Sequence, residues 1–140
     1  MLQSVRLYIA VYNPSEGFYH HWAMAIHNEA TNEWHTYDAI RSYAGGPFVS
    51  QYLAVDPRNS ARCRDPLVYV ATCPSTSIDN IHGTIQGVAI QSAQDWNCQN
   101  YVSDIINALI RNNLVTQAEY NAAWDQVSPY YGAMQQAFDA

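Results

Sequence analysis

Positive charge is scarce in this sequence. Six residues are Lys or Arg against twelve Asp or Glu, which leaves a net charge of −6 over 140 residues. Phosphate binding needs clustered cations, so nucleic acid is not an expected partner. Long apolar runs are also missing. No stretch approaches the ~18 residues that a membrane span requires, and no basic amphipathic segment marks a membrane surface. The first twelve residues mix Arg with apolar residues where a secretory signal would carry an apolar block. The three cysteines, at 63, 73 and 98, form no C-x-x-C pair and leave an odd one out. These absences lead to the expectation of a reduced, cytoplasmic protein, with pairing of Cys63 and Cys73 left open. No internal repeat, low-complexity run or charged tail divides the chain, so residues 1–140 read as a single domain.

What is abundant is apolar and aromatic. Hydrophobic residues make up 49% of the chain, with eleven Tyr and four Trp, enough to fill a core and to wall a pocket. That aromatic content exceeds the obvious needs of one small core, so a homodimer is a further expectation.

Alternation of apolar and polar residues predicts strands at SVRLYIAVYN (4–13), HWAMAIHN (21–28), EWHTYDAI (33–40), FVSQYLAV (48–55) and PLVYVATCP (66–74). A short polar link joins the second and third as a hairpin, and PSEG (14–17) reads as a turn. The second half changes period. Apolar residues at 98, 102, 105, 106, 109 and 110 form a helical stripe, and TQAE (116–119) fits a capping box opening a second helix that runs to about Val127. Gly83 and Gly87 leave residues 77–90 ambiguous. The expected fold is α+β, an antiparallel sheet of four to five strands with helices packed on one face.

Cys98 stands where the first helix begins, with Asn97 or Asp95 as the cap. Unpaired N–H groups and the positive end of the helix dipole favour an anion there, and helix N-termini are among the places where thiol pKa values fall below about 8.5. Asp95 works in the opposite direction. The bland alternative is a small apolar filler on the helical stripe.

A nucleophile needs a base, and five histidines are available. On a strand, His21 shares a face with Ala23, Ala25 and His27, while Trp22, Met24 and Ile26 form the opposite, large apolar face. Small neighbours leave room beside His21 for a helix end or a substrate. His35 in the next strand is one candidate to orient the His21 ring. A tight turn near Ala30 instead brings His21 level with residues 38–40 and makes Asp38 the rival. His27 reads as a solvated surface residue, and His82 receives no role. Metal binding needs three or four converging ligands. Adjacent His20 and His21 diverge and no H-x-x-x-H spacing exists, so neither a metal nor another cofactor is expected.

HWAMAI, WHTYDA and NCQNYV, in that order, resemble the circularly permuted branch of the NlpC/P60 papain-like superfamily, typified by lecithin retinol acyltransferase. Small fungal proteins with a His-Trp strand and a Cys-Gln pair look similar too. In that branch a His-Trp pair opens one strand, a second His lies in the next, and Asn-Cys-Glu-His-Phe-Val opens a helix. Here these are His21-Trp22, His35 and Asn97-Cys98-Gln99-Asn100-Tyr101-Val102. The resemblance implies Cys98 as nucleophile, His21 as base and His35 as the polar third member. The expected activity is a thiol-dependent hydrolase or acyl/amide transferase acting on a small acyl, ester or amide substrate. Substrate or oxyanion contacts are assigned to Gln99, Trp22 and Asp38. The alternatives are a non-catalytic binding module on the same fold and a small-metabolite enzyme using histidine acid–base chemistry.

Overall fold

The structure is a computed structural model that describes residues 3–14 and 19–132. The turn expected over residues 14–17 falls mostly outside the described residues. Five antiparallel strands, β1 (Ser4–Tyr12), β2 (His21–Asn28), β3 (Glu33–Arg41), β4 (Phe48–Leu53) and β5 (Val68–Pro74), form one sheet in the order β4-β3-β2-β1-β5. Three helices follow: α1 (Ile78–Gln86), α2 (Cys98–Arg111) and α3 (Gln117–Val127). The α+β class and the antiparallel sheet are as expected.

Period-2 patterning sets the two sheet faces. Leu7 lies opposite Ile26, Ile9 opposite Met24 and Val11 opposite Trp22, so the large apolar residues of β1 and β2 share one face. That face joins Ile81 and Ile85 of α1, Val102, Ile105, Ile106 and Leu109 of α2, and Ala123 and Val127 of α3 in a single core. Burying each Leu or Ile side chain there is worth roughly 1.5–3 kcal/mol.

The other face is covered by the segment between β4 and β5. Thr36 Oγ1 donates to the Val55 carbonyl at 2.9 Å, Arg64 N–H to the Val11 carbonyl at 2.8 Å, and Asn13 N–H to the Arg62 carbonyl at 2.8 Å. Ala10, Ala23 and Ala25 are fully buried beneath it. Small side chains on this face let backbone pass close.

The β2–β3 turn fixes the register on which the site depends. Asn28 Oδ1 accepts the Ala30 N–H at 3.1 Å, and Asn32 adopts a left-handed φ of 57°, which Asn tolerates better than most residues. Met24 then pairs with Tyr37 and Ile26 with His35. Continuing that register places His21 level with Ile40, diagonally across from Asp38.

Residues 78–86, ambiguous in the sequence, are helical. Ile78, Ile81 and Ile85 make a one-sided stripe, and the position a Gly83 side chain would occupy is open space. This glycine costs helix propensity, about 1 kcal/mol, but blocks no packing.

Candidate active site

Two reciprocal side-chain bonds shape the start of α2. Asn97 Oδ1 accepts the Gln99 N–H at 2.9 Å, and Asn100 Oδ1 accepts the Asn97 N–H at 2.9 Å. Asn97 is therefore the cap, and Asp95 is exposed outside it. The box fixes where the chain enters the helix and so where Cys98 projects. Cys98 is 1% exposed, with its Sγ 4.0 Å from the His20 carbonyl.

The His21 Nε2–H donates to Asp38 Oδ2 at 2.7 Å. This leaves Nδ1 as the ring nitrogen not bonded to Asp38. Burial pulls the His21 pKa down, but hydrogen bonds and charge interactions with Asp38 and Cys98 outweigh it and hold the imidazole up at about 9. The Tyr12 ring packs against the other side of the imidazole, with centroids 5.3 Å apart. These interactions favour the imidazolium at neutral pH, with Nε2 set on the Asp38 carboxylate.

A cavity of about 380 Å³ opens onto His21 and Asp38, lined also by Tyr19, Ile40, Gln51 and Arg62. The Tyr12 hydroxyl, pushed up by burial and by the nearby Cys63, Asp38 and Asp56, stays neutral at any ordinary pH.

The structure places the remaining candidates differently from the sequence reading. His35 does not meet His21. It lies level with Ile26, its Nδ1 is 2.6 Å from the Tyr52 hydroxyl, and its ring stands edge-on to His82 at 4.6 Å. The cause is the tight turn, which sets the two histidines several rungs apart and gives the position beside His21 to Asp38.

Gln99 is also committed elsewhere. Its Nε2 donates to the His20 carbonyl at 2.9 Å and the Tyr130 carbonyl at 3.1 Å, and its Oε1 accepts the Gly132 N–H at 2.8 Å. Both amide hydrogens are used, so the side chain has none left for a substrate oxyanion. Its backbone N–H is likewise taken by Asn97, which leaves the Cys98 N–H as the donor at the helix end.

Trp22 is 1% exposed and packs against Trp124 and Tyr131 at 6.2 and 6.0 Å, so it belongs to the core and lines no cleft. Asp38, a buried carboxylate, has the wrong charge to stabilise an oxyanion; its place is against His21.

Sequence reasoning gave no role to His82, yet its Nδ1 lies 2.6 Å from the Tyr37 hydroxyl and ties α1 to the sheet. All three cysteines are free, and Cys73 Sγ donates to the Leu114 carbonyl at 3.2 Å inside the core. Among the described residues, no group of three or more His, Cys, Asp or Glu is placed to hold a metal ion, and no helix is long and apolar enough to cross a membrane. No protein-family model, curated protein or solved structure matches the chain.

Proposed function

We propose that the chain is a thiol-dependent hydrolase or acyl/amide transferase with Cys98 as nucleophile, His21 as acid and base, and Asp38 as the residue that orients His21. One observation carries this reading: an imidazole bonded to a buried carboxylate through Nε2, with a cysteine at a capped helix N-terminus whose sulfur lies 4.0 Å from the carbonyl of His20, the residue before His21. The order of His strand, second strand and Cys helix, which resembles the permuted papain-like pattern, supports the same assignment, with Asp38 in the third place in preference to His35.

In acylation, the Cys98 sulfur attacks the substrate carbonyl carbon. A C–S bond forms, and the bond to the leaving oxygen or nitrogen breaks as His21 gives that atom its proton. The Cys98 N–H faces the developing oxyanion. Water or an acceptor alcohol or amine then gives its proton to His21 and attacks the thioester. The new bond forms, the C–S bond breaks, and the thiolate and the His21 imidazolium are restored.

Full burial of Cys98 favours a second reading, a non-catalytic binding module in which the thiol is core filler. Incubation with p-nitrophenyl acyl esters, followed by mass spectrometry of the intact protein, separates the two. A stable thioester on Cys98, or turnover lost in Cys98→Ser, supports the enzyme. An unmodified Cys98 with no turnover supports the module.

A further inference from the structure

A second cavity lies at the same end of the sheet as His21. Because β2, β3 and β4 alternate in direction, Arg41 and Phe48, partners on the last rung of β3 and β4, emerge beside the first rung of β2. With Gly46, Pro47, Ile90 and Trp96 they line a cavity of about 360 Å³. Trp96 stands two residues before Cys98. Its indole N–H donates to Asp104 at 3.0 Å, and its ring meets Phe48 edge-on at 5.8 Å, so this wall is fixed.

Among the described residues nothing neutralises the cation on the wall. The Arg41 guanidinium carbon lies over the Phe48 ring, 4.4 Å from its centroid, and among the described residues its N–H groups make no side-chain hydrogen bond. Arg6 pairs with Glu29 and Arg58 with Asp56, whereas among the described residues no carboxylate forms an ion pair with Arg41. Arg41 follows Ile40, the residue level with His21 in the β2–β3 register. Burial pushes the Tyr19 phenol up, Cys98 adds to that and Arg41 opposes it, so one hydroxyl feels both groups. A guanidinium, aromatic walls and a cavity whose wall residue Trp96 stands two residues before Cys98 together make a site for an acyl chain that ends in an anion.

We infer that the acyl substrate carries a carboxylate or phosphate, and that Arg41 binds this group while Phe48 and Trp96 pack against the chain joining it to the reacting carbonyl. This rests on the thiol-enzyme reading of Cys98.

The test compares Cys98 acylation by three p-nitrophenyl esters of similar length: hexanoate, glutarate monoester and 4-phosphonobutyrate. Wild-type protein is expected to react roughly tenfold faster with one of the anionic esters than with hexanoate, and which one identifies the anion. Arg41→Gln should lose that preference, while Arg41→Lys keeps part of it because the charge remains without the fork. Equal rates with all three esters, or a preference that survives Arg41→Gln, overturns the inference.

If no ester modifies Cys98, the thiol-enzyme reading fails, and the anion site is scored alone on Cys98→Ala protein. Glutarate or methyl phosphate should then shift the Trp96 indole N–H resonance, and adding Arg41→Gln should abolish the shift. No shift with either anion overturns the site as well.

Discussion

His21 Nε2 and Asp38 Oδ2 lie 2.7 Å apart, across a diagonal of the β2–β3 pair, with Asp38 almost wholly buried. That contact commits Nε2 to the carboxylate and favours the charged imidazole at neutral pH. It makes Asp38 the residue whose loss changes His21 most directly.

Asp38→Asn is expected to lower the His21 pKa by roughly one unit or more, because a carboxylate that favours imidazolium becomes a neutral amide. His35→Gln should leave it in place, since His35 contacts Tyr52 and His82 instead. Histidine ring NMR titrations of both variants read this out. A His21 titration that follows His35 and ignores Asp38 would contradict the assignment.

Acylation should fall on an alkaline limb near pH 9, where the His21 imidazolium needed to protonate the leaving group is lost. Asp38→Asn should move that limb to lower pH. The pH dependence of kcat/KM for an unactivated alkyl ester or amide, whose leaving group needs that proton, measures both.

Stability is expected to pass through a maximum near neutrality. His21 has its folded pKa raised from 6.5 to about 9, so its contribution is complete below pH 6.5 and disappears as pH rises through 9. Burial lowers the pKa values of His35 and His82, and His35 adds to the lowering at His82, so their contribution is complete above pH 6.5 and is lost as pH falls below it. Thermal melts between pH 5 and 10 should show both flanks. His21→Gln should flatten the alkaline one, and His82→Gln should soften the acid one.

Gln99→Ala should destabilise the fold by about 2–4 kcal/mol, because two carbonyls and one N–H at the helix end lose their partners at once. Denaturant unfolding measures the loss. Gln99→Glu is expected to be at least as harmful, since a carboxylate repels the carbonyls of His20 and Tyr130. A stable Gln99→Ala protein that lost activity alone would instead place the side chain in the chemistry.

The strands, both capped helices and the large apolar face were legible because each rests on a local period or a short-range cap. Thr116 and Glu119 bond as their spacing predicts, at 3.1 and 2.8 Å. Helix α1 was hidden because Gly83 lowers its propensity and Gly87, which stands just past its end, reads as a second break, while its three isoleucines act only through packing on the sheet.

The partner of His21 was not legible for a different reason. A turn one residue longer or shorter would have moved Asp38 off that diagonal, and the conformation of Asn32 that sets the turn is chosen by tertiary context. The role of Gln99 rests on residues 31 to 79 positions away, and Arg41 comes beside Trp96 only through the sheet topology. Long-range contacts of this kind leave no period in a sequence.

The most direct measurement is the rate of Cys98 alkylation by iodoacetamide at pH 7, followed peptide by peptide so that Cys63 serves as the internal reference. Coupling to a charged His21 predicts that Cys98 reacts faster than Cys63 despite being more buried, and that His21→Ala slows it by roughly tenfold or more. A Cys98 that stays inert until the protein unfolds, and that ignores His21→Ala, would contradict a catalytic thiol and leave the residue as part of the core.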